Sequence, residues 1–341
     1  MYQDNNKVLE EFAANSYYAD ETYFQRIRQI NSEQEQICFL REHFNFLMEK
    51  FETIQLWDEN IPEYHPEYSL QNKPQIAFFP AKSQRPKGLI LVCPGGGYNV
   101  KSANEGFPTV KKMLDAGFAA AILDYRLKPY TQYVSLLDLQ RAIRILRYRA
   151  EELGILPDKI TVAGFSAGAN LASMAAVHFD YGMENSADEI DRKSCRPDAA
   201  ILGYGLFSQI SFPPKLLHFI NYTPCPENEY DSMKVFETDT FPVLPVEDPD
   251  LKHKLYFSPE KNIRIDCPPF FIWQTCQQDD PRYALNFAKE LTDYGIPFEL
   301  HLFPDGLHGL GTGEGFGLSA RSEHVMNWTK LASEWMNSLG F

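Results

Sequence analysis

The first 54 residues show a helical pattern of apolar and charged positions. Residues 5–53 contain neither glycine nor proline. Apolar side chains recur at the spacing of one helix face, at Leu40, Phe44, Leu47, Met48 and Phe51. The pattern predicts two or three amphipathic helices in an extension over residues 1–54. Such an extension could cap a site, mediate homo-oligomerisation or cover a sheet, and apolar faces at this spacing favour plain packing.

A different pattern begins at residue 75, where short apolar runs are bounded by Gly, Pro or Asp. The runs are "QIAFFPA", "GLILVCP", "FAAAILDY", "KITVAGF", "DAAILGYG", "PFFIWQT" and "PFELHLF". Several are apolar at every position, as strands buried on both faces of a parallel sheet are. Helical segments lie between them, and two of these end at Gly154 and Gly295. The alternation predicts an α/β fold: a mostly parallel central sheet flanked by helices, with right-handed crossovers.

These patterns divide the chain into an N-terminal helical extension, residues 1–54, and a main domain, residues 55–341. Residues 205–262 interrupt the strand–helix rhythm with prolines, aromatic residues and acids. The stretch is too long for a simple connection, so we expect an irregular insertion near a functional rim.

Charge and composition narrow the function classes. The formal net charge is −14, which argues against nucleic acid or an anionic membrane surface as the main partner. No stretch approaches the roughly 20 apolar residues of a membrane span, and the polar, acidic N-terminus does not resemble a signal peptide. Six cysteines without a C-x-x-C pair favour reduced thiols. We therefore expect a cytoplasmic protein.

The pentapeptide "GFSAG", residues 164–168, lies between a predicted strand and an alanine-rich helical segment. A G-x-S-x-G turn at that point exposes the serine hydroxyl, and the two glycines leave room for close helix–strand packing. Ser166 is therefore a candidate nucleophile, with the Ala167 N–H at the helix N-terminus as a candidate oxyanion donor. The pentapeptide alone is also compatible with a glycine-rich turn whose serine has no catalytic role.

A glycine triplet, "CPGGGYN", follows the predicted strand "GLILV". Consecutive glycines let backbone N–H groups point into a cavity, so Gly96 and Gly97 are candidates to join Ala167 as oxyanion donors. Tyr98 is the next residue in the chain. For its side chain, a role in lining an acyl pocket and a role in packing are about equally favoured.

A serine nucleophile needs a general base and an acid that orients it. His308, in "FPDGLHGLG", follows the last predicted strand on a glycine-flanked loop, which makes it the candidate base. Asp279 and Asp280 follow the strand "PFFIWQT". Asp280 precedes Pro281 and resembles a helix N-cap, so Asp279 is favoured as the acid and Asp280 is the alternative.

The chain order Ser166, Asp279, His308 is the order of the α/β-hydrolase triad. Further motifs accompany this order: "LWDENIPEY", "PGGGY", "EG" at 105–106, "DYRL", "LLDLQRAIRILR", "GFSAGANLA", "FFIWQT" and "FPDGLHGLG". With these motifs, the chain resembles α/β-hydrolase serine esterases of the acetylxylan-esterase-like and hormone-sensitive-lipase-like branch over roughly residues 55–340. Pro94 stands where lipase-like members have histidine, which is closer to the carbohydrate-esterase branch.

The resemblance implies hydrolysis of carboxylic esters, often of acetyl groups on sugars, without a metal or an organic cofactor. The expected partner is then a small-molecule or carbohydrate ester. Two other functions remain open at this point. A serine peptidase of the prolyl-oligopeptidase type would cleave amides, and a non-catalytic binding protein could use the same scaffold.

Overall fold

One sheet organises the chain in the computed structural model, which describes residues 2–15, 25–27, 29–68, 70–83, 85–210, 251–315 and 321–341. Its strands within these residues are β1 (Thr53–Gln55), β2 (Gln75–Phe79), β3 (Lys87–Cys93), β4 (Ala119–Asp124), β5 (Ile155–Phe165), β6 (Ala199–Gly203), β7 (Phe270–Thr275) and β8 (Phe298–Phe303). They lie in the order β1-β2-β4-β3-β5-β6-β7-β8, and β2 is antiparallel to both of its neighbours, β1 and β4, whereas all the other neighbouring pairs are parallel. The mostly parallel sheet predicted from the sequence is confirmed, and each apolar run contains one strand.

The first strand, β1, was not predicted. It has three residues and adds to the edge of the sheet through the pair Ile54 and Ile76. Three residues are too few for an alternating pattern to be recognised in a sequence. The boundary expected after residue 54 falls inside this strand.

Helices cover both faces of the sheet. In the described residues they are α1 (Gln3–Asn15), α2 (Glu33–Met48), α3 (Ala103–Asp115), α4 (Gln132–Tyr148), α5 (Ala150–Leu153), α6 (Ala167–Val177), α7 (Leu251–Tyr256), α8 (Arg282–Asp293) and α9 (Asn327–Ser338). Gly154 follows α5 with φ of 66°, and Gly295 lies just after α8 with φ of 68°. Both glycines have the left-handed conformation expected after a helix C-terminus.

Alternate residues of the inner strands enter two separate cores. In β3, Leu89 and Leu91 face a core with α4, α6 and α8, whereas Ile90 and Val92 face a core with α3 and α9. All four side chains are fully buried. Burial on both faces explains why these strands appear in the sequence as continuous apolar runs.

The N-terminal helices pack onto the second of these cores. The Phe51 ring lies 5.3 Å from that of Phe12, 5.2 Å from that of Phe79 and 5.5 Å from that of Phe107. In addition, the Arg41 guanidinium of α2 donates hydrogen bonds to the carbonyl oxygens of Asn99 and Lys128, each at 2.7 Å. The extension therefore covers one face of the sheet and contacts loops at the ends of β3 and β4.

Buried ion pairs fix the loop that follows β4. Arg126 and Asp138 pair at 2.6 Å, and both side chains are fully buried. Lys101 pairs with Asp124 at 2.6 Å and is also buried. Removal of one partner of such a pair leaves an uncompensated charge in the core.

Residues 211–250 of the expected insertion lie outside the described residues, while its last part contains α7 and a short 3₁₀ turn, Pro259–Lys261. Among the described cysteines, all five are free thiols. No helix in the described ranges has the length and apolar character required to cross a membrane.

We expect Phe51→Ala to lower the free energy of unfolding by about 3–5 kcal/mol, the typical cost of truncating a buried Phe. The loss has two sources, the buried ring itself and its contacts with three other rings. Urea denaturation followed by circular dichroism measures it. The matched control is Phe46→Ala in α2, whose side chain is 46% exposed. Equal stability of the two variants would show that the extension does not support the sheet.

Candidate active site

Ser166 lies at the turn between β5 and α6, in a strained backbone conformation. Its φ is 52° and its ψ is −119°, and residues other than glycine rarely adopt a positive φ of this kind. A Cβ added to Gly164 would overlap the Gly168 carbonyl, and one added to Gly168 would overlap the Cys93 carbonyl. Glycines at both positions allow α6 to begin this close to β3 and β5. The turn places the Ser166 side chain beyond the carboxyl ends of these two strands.

His308 lies between Ser166 and a carboxylate. Its Nε2 is 2.8 Å from Ser166 Oγ, and its Nδ1 is 2.7 Å from Asp279 Oδ1. A neutral imidazole that donates from Nδ1 to the carboxylate has Nε2 free to accept the serine hydroxyl proton. The arrangement can therefore remove a proton from Ser166 and keep the resulting imidazolium beside a negative charge.

The two candidate aspartates have different partners. Thr275, the last residue of β7, donates from Oγ1 to Asp279 Oδ2 at 2.7 Å, so both oxygens of Asp279 are fixed. Asp280 instead pairs with the Arg282 guanidinium at 2.6 Å and accepts a hydrogen bond from the Arg282 backbone N–H at 3.0 Å. Of the two, Asp279 contacts His308, while Asp280 holds the first turn of α8.

Side chains of the β7 loop also hold the loop that carries His308. Gln278 Oε1 accepts a hydrogen bond from the His308 N–H at 2.6 Å, and Gln277 Oε1 accepts one from the Gly306 N–H at 2.9 Å. The His308 side chain is 25% exposed. Burial by itself lowers the pKa of His308, but the charge and hydrogen bond of Asp279, with the charge of Glu105, outweigh it and raise the pKa.

The glycine triplet crosses directly over the nucleophile. A Cβ on Gly95 would lie 2.9 Å from Ser166 Cβ, so the loop and the serine are in contact. The Gly95 N–H donates to Glu105 Oε2 at 2.6 Å and is therefore turned away from a bound substrate. Gly96 and Gly97, with φ of 126° and 61°, remain the candidate donors of this loop, opposite Ala167 at the start of α6.

Tyr98 is buried, with 2% of its surface exposed. Its hydroxyl donates to Asn170 Oδ1 at 2.9 Å, and its ring contacts the Tyr125 ring edge-on at 6.3 Å. These contacts are those of a packing residue that supports the glycine loop. A part in lining an acyl pocket stays a prediction.

Sequence reasoning missed several side chains that contact the site, among them Glu105, Tyr204 and Thr275. Tyr204 directly follows β6 and packs its ring against His308, with the centroids 5.1 Å apart. Thr275 ends β7, and Glu105 is part of the "EG" motif in the first turn of α3. The positions of Tyr204 and Thr275 at carboxyl ends of predicted strands were the signal that could have identified them.

No group of three or more His, Cys, Asp and Glu side chains within the described ranges is arranged to hold a metal ion.

Comparison with known proteins places this site in a family. The BD-FAE family model matches residues 77–291, which include Ser166, Asp279 and the glycine loop. A solved structure of an acetyl ester-xyloside bifunctional hydrolase from Caldicellulosiruptor lactoaceticus is 33% identical, with a TM-score of 0.72 over 85% of this chain and 97% of that one.

Two curated relatives are also similar. The endo-1,4-beta-xylanase B of Butyrivibrio fibrisolvens is 30% identical over 263 residues, which are 75% of this chain and 37% of that protein. An acetylxylan esterase of Xylanibacter ruminicola is 29% identical over 135 residues, 39% of this chain and 25% of that protein. The matched regions thus span well under half of either relative. The chain belongs to the BD-FAE family and has the α/β-hydrolase fold, and it is similar to acetylxylan-esterase-like hydrolases, as its motifs predicted.

Proposed function

We propose that the chain hydrolyses carboxylic esters, with Ser166 as the nucleophile, His308 as the general base and Asp279 as the acid that orients His308. We further propose that the chain removes short acyl groups, above all acetyl, from a carbohydrate or small-molecule ester. The observation that carries the proposal is the continuous contact from Asp279 Oδ1 through His308 to Ser166 Oγ, with distances of 2.7 and 2.8 Å.

The reaction has two steps, acylation and hydrolysis. His308 Nε2 accepts the Ser166 proton while Oγ bonds to the ester carbonyl carbon, and the carbonyl electron pair moves onto its oxygen. When the tetrahedral intermediate collapses, the bond to the alcohol oxygen breaks and His308 protonates the leaving alcohol. Water then attacks the acyl-enzyme, gives its proton to His308, and releases the acid as the proton returns to Ser166.

Backbone N–H groups stabilise the oxyanion in this mechanism. Ala167 is the first residue of α6, so its N–H and the helix dipole both favour negative charge at that point. Gly96 and Gly97 approach from the opposite loop. Because these donors are held by the backbone, they need little reorganisation as charge develops.

The preference for acetyl groups on sugars rests on the relatives. The Xylanibacter protein is named an acetylxylan esterase and the Caldicellulosiruptor structure an acetyl ester-xyloside hydrolase. The xylanase B and acetylxylan esterase extend well beyond the regions matched here, so substrates of their other parts carry no weight for this chain.

We expect Ser166→Ala to fold normally and to lower kcat for p-nitrophenyl acetate by at least about 10⁴-fold, because the nucleophile is removed. Release of p-nitrophenolate measures turnover, and circular dichroism checks the fold. Ser173→Ala is the matched control, since Ser173 is buried in the same helix and donates only to the Asn170 carbonyl, at 2.8 Å. Turnover by the Ser166 variant at the rate of the control would remove Ser166 from the mechanism.

We expect Asp279→Asn to lower kcat by roughly 10³- to 10⁴-fold, because a neutral amide does not stabilise the imidazolium and its NH₂ group can donate to Nδ1 and hold His308 in the wrong tautomer. Asp280→Asn should leave kcat within a few-fold and lower stability modestly, since it weakens the contact with Arg282. The same p-nitrophenyl acetate assay, with thermal unfolding alongside, separates the two variants. The reverse ranking of kcat would make Asp280 the triad acid.

We expect kcat/KM to be at least about tenfold higher for p-nitrophenyl acetate than for p-nitrophenyl octanoate, because a pocket fitted to a short acyl group excludes a longer one. Acetate release from acetylated xylo-oligosaccharides tests the carbohydrate part. A preference for the octanoate would contradict acetyl specificity. Faster cleavage of a prolyl-peptide p-nitroanilide than of any ester would support the peptidase alternative instead.

A further inference from the structure

A second buried carboxylate lies beside the candidate triad. Glu105 is 2% exposed and belongs to the first turn of α3. Its Oε2 accepts from the Gly95 N–H at 2.6 Å, and its Oε1 accepts from the Tyr204 hydroxyl at 2.8 Å. The proposed acylation and hydrolysis steps do not use Glu105, yet the two groups that it binds follow β3 and β6, the two neighbours of the strand that leads into Ser166.

Tyr204 extends this contact to the loop of His308. The Gly311 N–H donates to the Tyr204 hydroxyl oxygen at 2.9 Å, which leaves the hydroxyl proton directed at Glu105. Asn104, next to Glu105, donates from Nδ2 to the Gly309 carbonyl at 3.0 Å. The first turn of α3 therefore contacts both the glycine loop and the loop that carries the base.

The geometry points to Glu105 as a positioning residue. Its buried carboxylate connects the glycine loop to the His308 loop, and this connection fixes the oxyanion donors and the base relative to Ser166. This inference rests on the proposed function, since it assigns Glu105 to the same reaction.

The charge on Glu105 has support from its surroundings. Two donors point at its two oxygens, and its place in the first turn of α3 puts it at the positive end of the helix dipole. Burial raises the pKa of Glu105 above its ordinary value, and the Tyr204 hydrogen bond, the charge of His308 and the Gly95 N–H offset only part of that rise. A carboxylate here also favours the imidazolium form of His308.

A pH profile distinguishes this role from plain packing. The charged and titratable groups facing His308 are Asp279 from the β7 loop, Glu105 from α3 and Tyr204 from the end of β6. The base must be neutral to accept a proton, so kcat/KM falls as pH decreases through the His308 pKa. Because that pKa is raised, we expect the acid limb of the unaltered protein to have its midpoint above 6.5.

We expect Glu105→Gln to move this midpoint to lower pH, because the variant loses one of the two negative charges that raise the His308 pKa. An amide can also accept only one of the two hydrogen bonds. We expect kcat to fall about 10- to 100-fold with little change in KM, less than the roughly 10²- to 10³-fold loss on removal of an oxyanion donor itself. The assay is p-nitrophenyl acetate hydrolysis from pH 5 to 9.

Two further variants complete the experiment. Tyr204→Phe keeps the ring on His308 and the charge on Glu105, so the midpoint of its acid limb should stay near that of the unaltered protein while its kcat falls. The double variant, Glu105→Gln with Tyr204→Phe, should lose less kcat than the two single losses combined, because the two residues act through one contact. Asp198→Asn is the matched control, because the Asp198 carboxylate is only 19% exposed, pairs with Arg147 at 2.7 Å and lies at the amino end of β6, away from the candidate site. It should lower stability without moving the midpoint.

A folded Glu105→Gln variant with an unchanged midpoint and kcat within twofold would overturn the inference. If that variant does not fold, a folded Tyr204→Phe variant with unaltered kcat would overturn it equally. Ser166→Ala serves as the blank throughout. Activity in the blank contradicts the proposed function, whereas an inactive blank with an unchanged Glu105→Gln profile contradicts the role of Glu105 alone.

Discussion

The site depends on how closely α6 begins beside the strands. Gly164 and Gly168 have no room for a side chain because each faces a backbone carbonyl, and this contact forces Ser166 into its strained turn. The turn sets the direction of the Ser166 hydroxyl and of the Ala167 N–H. Gly95 lies so close to Ser166 that a side chain at this position would overlap Ser166 Cβ, so the glycine loop is in contact with the nucleophile. A methyl group at Gly164 would meet the Gly168 carbonyl and one at Gly168 the Cys93 carbonyl, so either would displace α6 from the strands.

Charge placement around His308 follows from the same close packing. Asp279 and Glu105 approach the imidazole from different elements, the β7 loop and α3. A histidine this enclosed would otherwise have a lowered pKa, so the two carboxylates offset the desolvation of its protonated form. Asp279 contacts the ring directly and orients it. Glu105 acts at longer range and through Tyr204, whose ring packs against the imidazole.

The inner strands could be predicted, and Ser166 and His308 could be named as candidates, because their signals in the sequence are local. Burial on both faces produces continuous apolar runs, and Ser166 and His308 lie in glycine-flanked turns that follow such runs. The short strand β1 has no periodic signal. The sequence favours Asp279 over Asp280 as the acid but does not decide between them. The difference lies in their side-chain contacts, which no local pattern shows: Asp279 accepts from Thr275, and Asp280 pairs with Arg282. The contacts of Glu105 with Gly95 and Tyr204 span 10 and 99 positions, beyond any local pattern.

The N-terminal extension adds a support to the same loops. Phe51 joins it to the core through three aromatic contacts, and Arg41 reaches the carbonyls of Asn99 and Lys128. Asn99 follows Tyr98, and the Lys128 N–H donates to the Tyr98 carbonyl at 2.9 Å. One guanidinium therefore joins the loops after β3 and β4 from outside, while Glu105 holds the glycine loop from inside. Because the proposed oxyanion donors belong to this loop, packing of the extension and geometry of the site are parts of one structure.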